Sequence, residues 1–330
     1  MLILAKAVMA IMLGFSFSVL FGYFIIKLFN RKKISQSVSS TLGKRHLEKA
    51  GTPTMGGIIF IIPTFIIMTI LILTHKVDFS TNLFIVLFVF LAYALLGYTD
   101  DYLIIKRHNN EGLSIFTKLA LQIVIALIFF YIFLSSGNDP VLNIHTLGIN
   151  INMGFMYGMF LLFVLVATSN AVNITDGLDG LAGGLSAIAF FAFGIITWGA
   201  NWATGYEGIA VFCFVLVGSL LGFLVYNGHP AKIFMGDTGS LALGAALASV
   251  AIITNHEITL VIVALVFVIE TLSVIIQWIA ISKFHTKVFL MAPLHHHFEK
   301  LGWSEVDVVR LFWSIGLILS MAAIAFGVWI

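Results

Sequence analysis

Ten apolar stretches, near residues 2–28, 54–74, 81–99, 117–135, 155–171, 180–199, 207–226, 239–254, 258–281 and 308–329, make up most of this chain. A helix needs roughly 20 apolar residues to cross the hydrocarbon core of a bilayer, where no water can satisfy an open backbone. The pattern predicts an all-α integral membrane protein with about ten transmembrane helices. Composition agrees, since 60% of the 330 residues are hydrophobic and 10% are charged. No soluble domain of this length could bury so much apolar surface. Only Asn255-His256-Glu257 divides the eighth stretch from the ninth, so one bent helix is the alternative there. The first stretch is longer than a signal-peptide core, and basic residues follow rather than precede it, which predicts a retained span. Long polar linkers and internal repeats are both lacking, so residues 1–330 are expected to form a single polytopic membrane domain. Residues 141–153 alternate apolar and polar around Gly148, the pattern of a small extracytoplasmic β-hairpin.

Five polar clusters interrupt the apolar runs: Thr52 to Gly57, Asp100-Asp101, Asn173 to Asp179, Asn227 to Asp237, and His295-His296-His297. By span parity all five share one side of the membrane. Of the 17 Lys and Arg residues, only Lys6 and Lys76 fall away from the loops on that side. Basic loops stay in the cytoplasm, so the motif face is expected to be cytoplasmic, with both termini outside. The formal net charge of +2 gives no reason to expect a nucleic-acid partner. The single cysteine, Cys213, lies inside an apolar run and is expected to be a small buried hydrophobe.

The clusters carry chemistry suited to phosphate and a hard cation. Adjacent carboxylates at Asp100 and Asp101 repel and require a neutralising cation, and oxygen ligands at this density suit Mg²⁺. Asn173, Asp176 and Asp179 are three apart and line one face if their stretch is helical. Gly177 and Gly180 permit a close approach or a tight turn. Asp237 stands where it could N-cap the eighth span. The same helix N-terminus would favour phosphate, with Lys232 adding a cation and Phe234 a ring face for a base or sugar. Consecutive helical residues point about 100° apart, so His295, His296 and His297 cannot easily share one metal, and one or two are expected to serve as phosphate donors or proton carriers. Zinc spacing and a Walker-type glycine loop are both lacking. The ninth stretch continues into Ser282-Lys283-Phe284-His285, which predicts a bend or break near the motif face. Such a helix would border a groove for a lipid chain, with Glu270 and Gln277 facing the protein.

The strings His46 to Gly57, Asp100-Asp101-Tyr102, Asn173 to Ala182, Pro230 to Ser240 and Pro293 to Glu299 together closely resemble the polyprenyl-phosphate N-acetylhexosamine-1-phosphate transferases. Within them, Thr-Pro-Thr-Met-Gly-Gly and Pro-Leu-His-His-His-Phe-Glu point to the phospho-MurNAc-pentapeptide transferases, the translocases of bacterial cell-wall synthesis. The resemblance implies a homodimer of ten-helix subunits that moves phospho-MurNAc-pentapeptide from its UDP carrier to undecaprenyl phosphate. The products would be lipid I and UMP, with Mg²⁺ required. It implies Asp237 as metal ligand, Asp100 as candidate base for the lipid phosphate, and Asp101 in support. Lys49, Asp179, Asn227 and Phe234 would form the uridine pocket. Thr54, Lys118, Asn173, Asp176, His295 and His297 would surround the diphosphate and sugar, with His296 as a catalytic histidine.

The chain departs from the family pattern at Ile104, where a basic residue is usual, and at Glu111-Gly112-Leu113, where Lys-Gly-Leu is common. Lys106 is placed to substitute for the first. Tyr226-Asn227-Gly228-His229-Pro230 replaces a commoner Phe-Pro-Pro version, a change of loop shape more than of chemistry. The rival within the superfamily is a GlcNAc-1-phosphate transferase. A cation-coupled transporter is the rival from another class, and it needs charges near mid-span, where only Glu270 lies. A rigid aspartate cluster serves both one-step transfer and a two-step route through an aspartyl intermediate.

Overall fold

The computed structural model describes residues 2–32, 51–107, 112–144, 148–199 and 206–329. In chain order the elements are α1 (Leu2–Lys32), α2 (Ile58–Leu73), α3 (Thr81–Arg107), α4 (Ile115–Ser135), β1 (Val141–Ile144), β2 (Ile149–Asn152), α5 (Met156–Thr175) and α6 (Leu181–Gly199). There follow α7 (Glu207–Asn227), α8 (Gly236–Ile253), α9 (Glu257–Val263), α10 (Leu265–Phe284), α11 (Leu294–Lys300) and α12 (Glu305–Trp329). Among the described residues nine helices are long and apolar enough to cross a membrane. The second expected span is a shorter apolar helix of 16 residues, Ile58–Leu73. It is short because residues 53–57 run out of the helix: Phe234 N–H donates to Pro53 O at 2.8 Å, and Gly56 and Gly57 donate to Phe234 O and Met235 O at 2.8 and 2.9 Å. These bonds pin the Thr-Pro-Thr-Met-Gly-Gly string to the entry of α8.

The expected hairpin forms between β1 and β2, antiparallel, with Ile144 opposite Ile149 and Gly148 at φ 61° in the turn. The eighth and ninth stretches are separate helices, parted at Thr254 to His256 with Asn255 left-handed at φ 57°. α10 runs unbroken from Leu265 to Phe284 and ends at His285, left-handed at φ 52°, beside the expected break; a further interruption falls at Ala264, toward the opposite end. The end of α10 is steadied by Gln277, whose side chain accepts from Val288 and Phe289 N–H and donates to Phe289 O. Glu270 and Gln277 do face the protein, and both are buried.

The centre of the bundle is α7 against α6 and α8 against α3 and α5. Every residue of α8 from Thr238 to Ile253 is buried. That suits its Gly, Ala, Ser and Leu content, because a helix apolar all round belongs inside a bundle. Lipid tails are as apolar as the helix faces, so packing and polar contacts must hold the helices together. Ser18 on α1 donates to Ser219 O of α7 at 2.7 Å and to Ile59 O of α2 at 3.0 Å, and Thr64 reaches Ser219 Oγ at 3.0 Å. Apolar side chains such as Phe24, Trp278 and Ile318 stay exposed on the outer helices, as a lipid-facing surface requires. Cys213 is buried on α7.

The polar clusters meet at one end of the bundle, as the bonds among their loops show below. At the other end Lys6 of α1 pairs with Glu207 at the start of α7 at 2.5 Å, and Gly327 near the end of α12 lies against Ile196 at the end of α6. Both described termini therefore fall away from the clusters.

Closest approach matters most where α3 crosses the start of α8. A Cβ on Gly97 would lie 2.0 Å from Asp237 O. Gly97→Ala is expected to lower unfolding stability by about 1–3 kcal/mol through overpacking, read as a lower midpoint of thermal unfolding in detergent micelles. An unchanged midpoint would show that the α3–α8 crossing tolerates separation.

Candidate active site

Asp237 is the second residue of α8, so its backbone lies in the first turn, where amides have no helical partners. It does not cap the helix itself. That task falls to Asp101 from α3, whose Oδ1 accepts Asp237 N–H at 3.1 Å and whose Oδ2 accepts Thr238 N–H at 2.9 Å and Thr238 Oγ1–H at 2.6 Å. A buried carboxylate is tolerable only when hydrogen bonds replace its water, and here three donors do so. The Asp-Asp pair thus divides its work: Asp101 holds the helix, while Asp100 faces an open cavity.

The cavity measures about 780 Å³, and Asp100, Arg107, Lys118, Asn173 and Asp237 bring its charged and amide groups. Lys118 Nζ sits 2.9 Å from Asp100 Oδ2 and 2.8 Å from Asp237 Oδ2. It is the cation that the repelling aspartates require. Asn173 Nδ2 donates to Asp237 Oδ1 and to Ser240 Oγ, both at 2.8 Å, and Leu113 N–H donates to Asp100 Oδ1 at 2.6 Å. Two carboxylates converging on one ammonium are hard anionic ligands of the kind that suits a divalent cation.

The Asn173, Asp176, Asp179 register is not helical throughout, because α5 ends at Thr175. Asn173 reaches Asp237. Asp176, half-buried in the turn, has its carboxyl pushed up to about 8 by desolvation, with the like charges of Asp237, Asp101 and Asp179 adding to the shift. Asp179 turns the other way: its Oδ2 accepts Ala231 N–H at 3.0 Å and meets His229 Nδ1 at 3.1 Å, while its own N–H donates to Glu305 Oε1 at 2.7 Å. Asn227 clamps the same loops, accepting Gly180 N–H at 3.0 Å and donating to Ile233 O at 2.9 Å. Ligand atoms of Asp179, His229 and Glu305 lie within 4.8 Å of one another. They already bond to one another and to the loop backbone, so they read as a clamp rather than a metal site.

Phe234 is held by its backbone bonds to Pro53 and Gly56 and does not line the Asp100 cavity. Thr54 is buried, and its hydroxyl has no partner among the described residues. The three histidines diverge on α11 as expected. His295 is buried, with Nδ1 3.1 Å from Glu270 Oε2, and Glu270 also accepts its N–H. His296 Nδ1 lies 2.6 Å from Glu299 Oε2, and His297 Nδ1 accepts Leu290 N–H at 3.1 Å. Of the three, His295 reaches the aspartate loop: a Cβ on Gly177 would lie 2.3 Å from its Nε2, so only glycine lets the two loops meet. Lys49 lies outside the described residues.

Sequence reasoning missed Ser240, Thr238, His229 and Glu305 as members of this network. The first two stand in the Gly-Asp-Thr-Gly-Ser string and could have been found there as donors. Glu305 gave no signal, being one charge at the head of an apolar run. Glu270 was visible as an isolated mid-span carboxylate, and the structure supplies its partner.

The sequence model of glycosyl transferase family 4 matches residues 83–255, and the phospho-N-acetylmuramoyl-pentapeptide-transferase signature 1 matches residues 49–61. The chain is 48% identical over 324 residues to the phospho-N-acetylmuramoyl-pentapeptide-transferase of Geobacillus sp. (strain WCH70), covering 98% of each protein. It is 46% identical over 321 residues to the protein of that name from Bacillus subtilis (strain 168), covering 97% of each. With such identity over nearly its whole length, a bundle of membrane-spanning helices and the aspartate cluster at one end, the chain belongs to the phospho-N-acetylmuramoyl-pentapeptide-transferase family.

Proposed function

We propose that this chain transfers phospho-MurNAc-pentapeptide from UDP-MurNAc-pentapeptide to undecaprenyl phosphate, giving lipid I and UMP in peptidoglycan synthesis. The observation that carries the reading is Lys118 bridging Asp100 and Asp237 on the wall of a cavity at one end of a membrane bundle. Both substrates present phosphate there, and like charges must be brought together. Lys118 and Arg107 offset that repulsion. Asp237, with Asp100 beside it, would hold Mg²⁺, which when bound orients the diphosphate and stabilises the leaving UMP. An oxygen of the lipid phosphate attacks the phosphorus attached to MurNAc, a new P–O bond forms, and the bond to the UMP oxygen breaks with its electron pair. The lipid phosphate is largely ionised near neutral pH, so Asp100 serves to position more than to deprotonate. Asp179, Asn227, Phe234 and Lys49 would take the uridine, and the loop clamp around Asp179 supports that placement. Glu270 is buried and tied to His295 through both its N–H and its Nδ1, which disfavours a cation-carrying role. The reading also includes a cytoplasmic active site, termini outside, one membrane domain and a homodimer. The direct test is release of UMP from UDP-MurNAc-pentapeptide in the presence of undecaprenyl phosphate, with and without Mg²⁺, and with UDP-GlcNAc as the rival donor. Turnover of UDP-GlcNAc alone would move the chain to the sister activity.

Because Asp101 is the helix cap, exchanging the two aspartates for asparagine should separate catalysis from stability. Asp237→Asn is expected to keep its thermal midpoint while kcat falls by roughly 100-fold or more, the scale of lost electrostatic stabilisation. Asp101→Asn turns one of two accepting oxygens into an NH₂ that faces a backbone N–H, and is expected to lower stability by about 1–3 kcal/mol, the cost of a buried donor left unsatisfied. Near-wild-type turnover by Asp237→Asn at ordinary Mg²⁺ would remove it from the reaction.

Phe234→Ala is expected to weaken UDP-MurNAc-pentapeptide binding by about 1–3 kcal/mol, the worth of stacking on one base, measured by calorimetry. Equal affinity would place the base elsewhere.

Orientation can be read with impermeant thiol reagents on intact cells, since the native Cys213 is buried. A cysteine at Asn143 should label and one at Lys300 should not. The reverse pattern would invert the topology.

A further inference from the structure

The end of the bundle that carries the aspartates holds a second hollow of about 540 Å³, lined by Tyr23, Lys27, Asn30 and Arg31 of α1, Tyr226 at the end of α7, and Lys232. It shares no lining residue with the cavity around Asp100. Its floor is fixed. Tyr226 donates its hydroxyl to Val19 O at 2.7 Å, its ring lies against Gly22, and Lys27 Nζ stands 5.9 Å from the centroid of the Tyr23 ring. The lining brings three cations and no carboxylate, and among the described residues no acid pairs with Lys27, Arg31 or Lys232.

Three unpaired cations around a shaped hollow call for an anion. The position says which kind. Leu20, Phe24 and Leu28 lie exposed on α1 beside and above the groove, and an exposed apolar helix face in a membrane protein meets acyl chains. The groove therefore opens where the hydrocarbon ends, at the depth where tyrosines and snorkelling lysines sit and lipid phosphates lie. We propose that this groove binds the headgroup of an anionic phospholipid, with its phosphate among Lys27, Arg31 and Lys232 and its chains along α1. A soluble phosphate would gain the cations but nothing from the apolar face. The inference concerns a surface apart from the aspartates and does not rest on the transferase reading.

The test uses the full chain purified in detergent, with lipid adducts titrated by native mass spectrometry. The probes are palmitoyl-oleoyl phosphatidylglycerol, its phosphatidylcholine counterpart and free sn-glycerol 1-phosphate. Phosphatidylglycerol should bind in preference to the other two. Lys27→Gln with Arg31→Gln should weaken it about 20-fold, at the scale of one surface cation each. The matched pair Lys283→Gln with Lys287→Gln, basic residues at the same end, should leave it unchanged. If the first pair lowers the thermal-unfolding midpoint, Arg31→Gln alone should weaken binding about fivefold. The proposal is overturned if the α1 variants bind phosphatidylglycerol as the parent does, if both pairs weaken it equally, or if glycerol phosphate binds as tightly as the lipid.

Discussion

The rest of the site depends on one ammonium between two carboxylates. Asp100 comes from α3, Lys118 from the next helix, α4, and Asp237 from the distant α8. Like charges at this separation would push the helices apart in a medium of low dielectric, where Coulomb energies are large and weakly screened. Lys118 turns that repulsion into a cross-link. Residues 112 and 113, ahead of α4, are drawn to α3 as well, through Leu113 N–H on Asp100 and Arg107 on Gly112 O. What would be a liability in a core becomes a cavity wall ready for phosphate.

Each polar loop is fastened to another rather than to itself. The string at 53–57 pairs with residues 234 and 235, the loop after α5 is held by Asn227 and Glu305, and α11 is hung from Glu270. In a protein whose helices gain little from hydrophobic burial against one another, these bonds supply the specificity that packing alone does not. They also explain why residues that resemble a single site divide into different tasks. Asp237 and Asp100 remain open to the cavity, whereas Asp101, Asn227 and His297 spend their polar atoms on backbone groups.

Most of the helical architecture was legible because span length is dictated by the bilayer and not by tertiary detail. The hairpin at 141–152 was legible from alternation around Gly148. The short α2 was not, since nothing in an apolar run signals that its first residues will pair with a distant loop. The aspartates announced themselves as charges at the ends of apolar runs, and the demand for a cation near them followed from repulsion alone. That the cation is Lys118 depends on which helices meet, and its placement near the site came only from resemblance. The capping role seemed open to Asp237 by position in sequence. Tertiary packing gave it to Asp101, because the Gly97 crossing brings α3 against the first turn of α8.

That crossing has a consequence for handling the protein. Asp237 and the helix in whose first turn it stands are held in register by Asp101, a side chain from another span. Any detergent that lets α3 and α8 slide by a fraction of a helical turn would detach Asp101 from its amides and turn Asp237 away from Lys118. The secondary structure would remain whole. Spectroscopic helicity is therefore a poor gauge of a competent preparation, and the spacing between α3 and α8, measured with a pair of spin labels, is the better one.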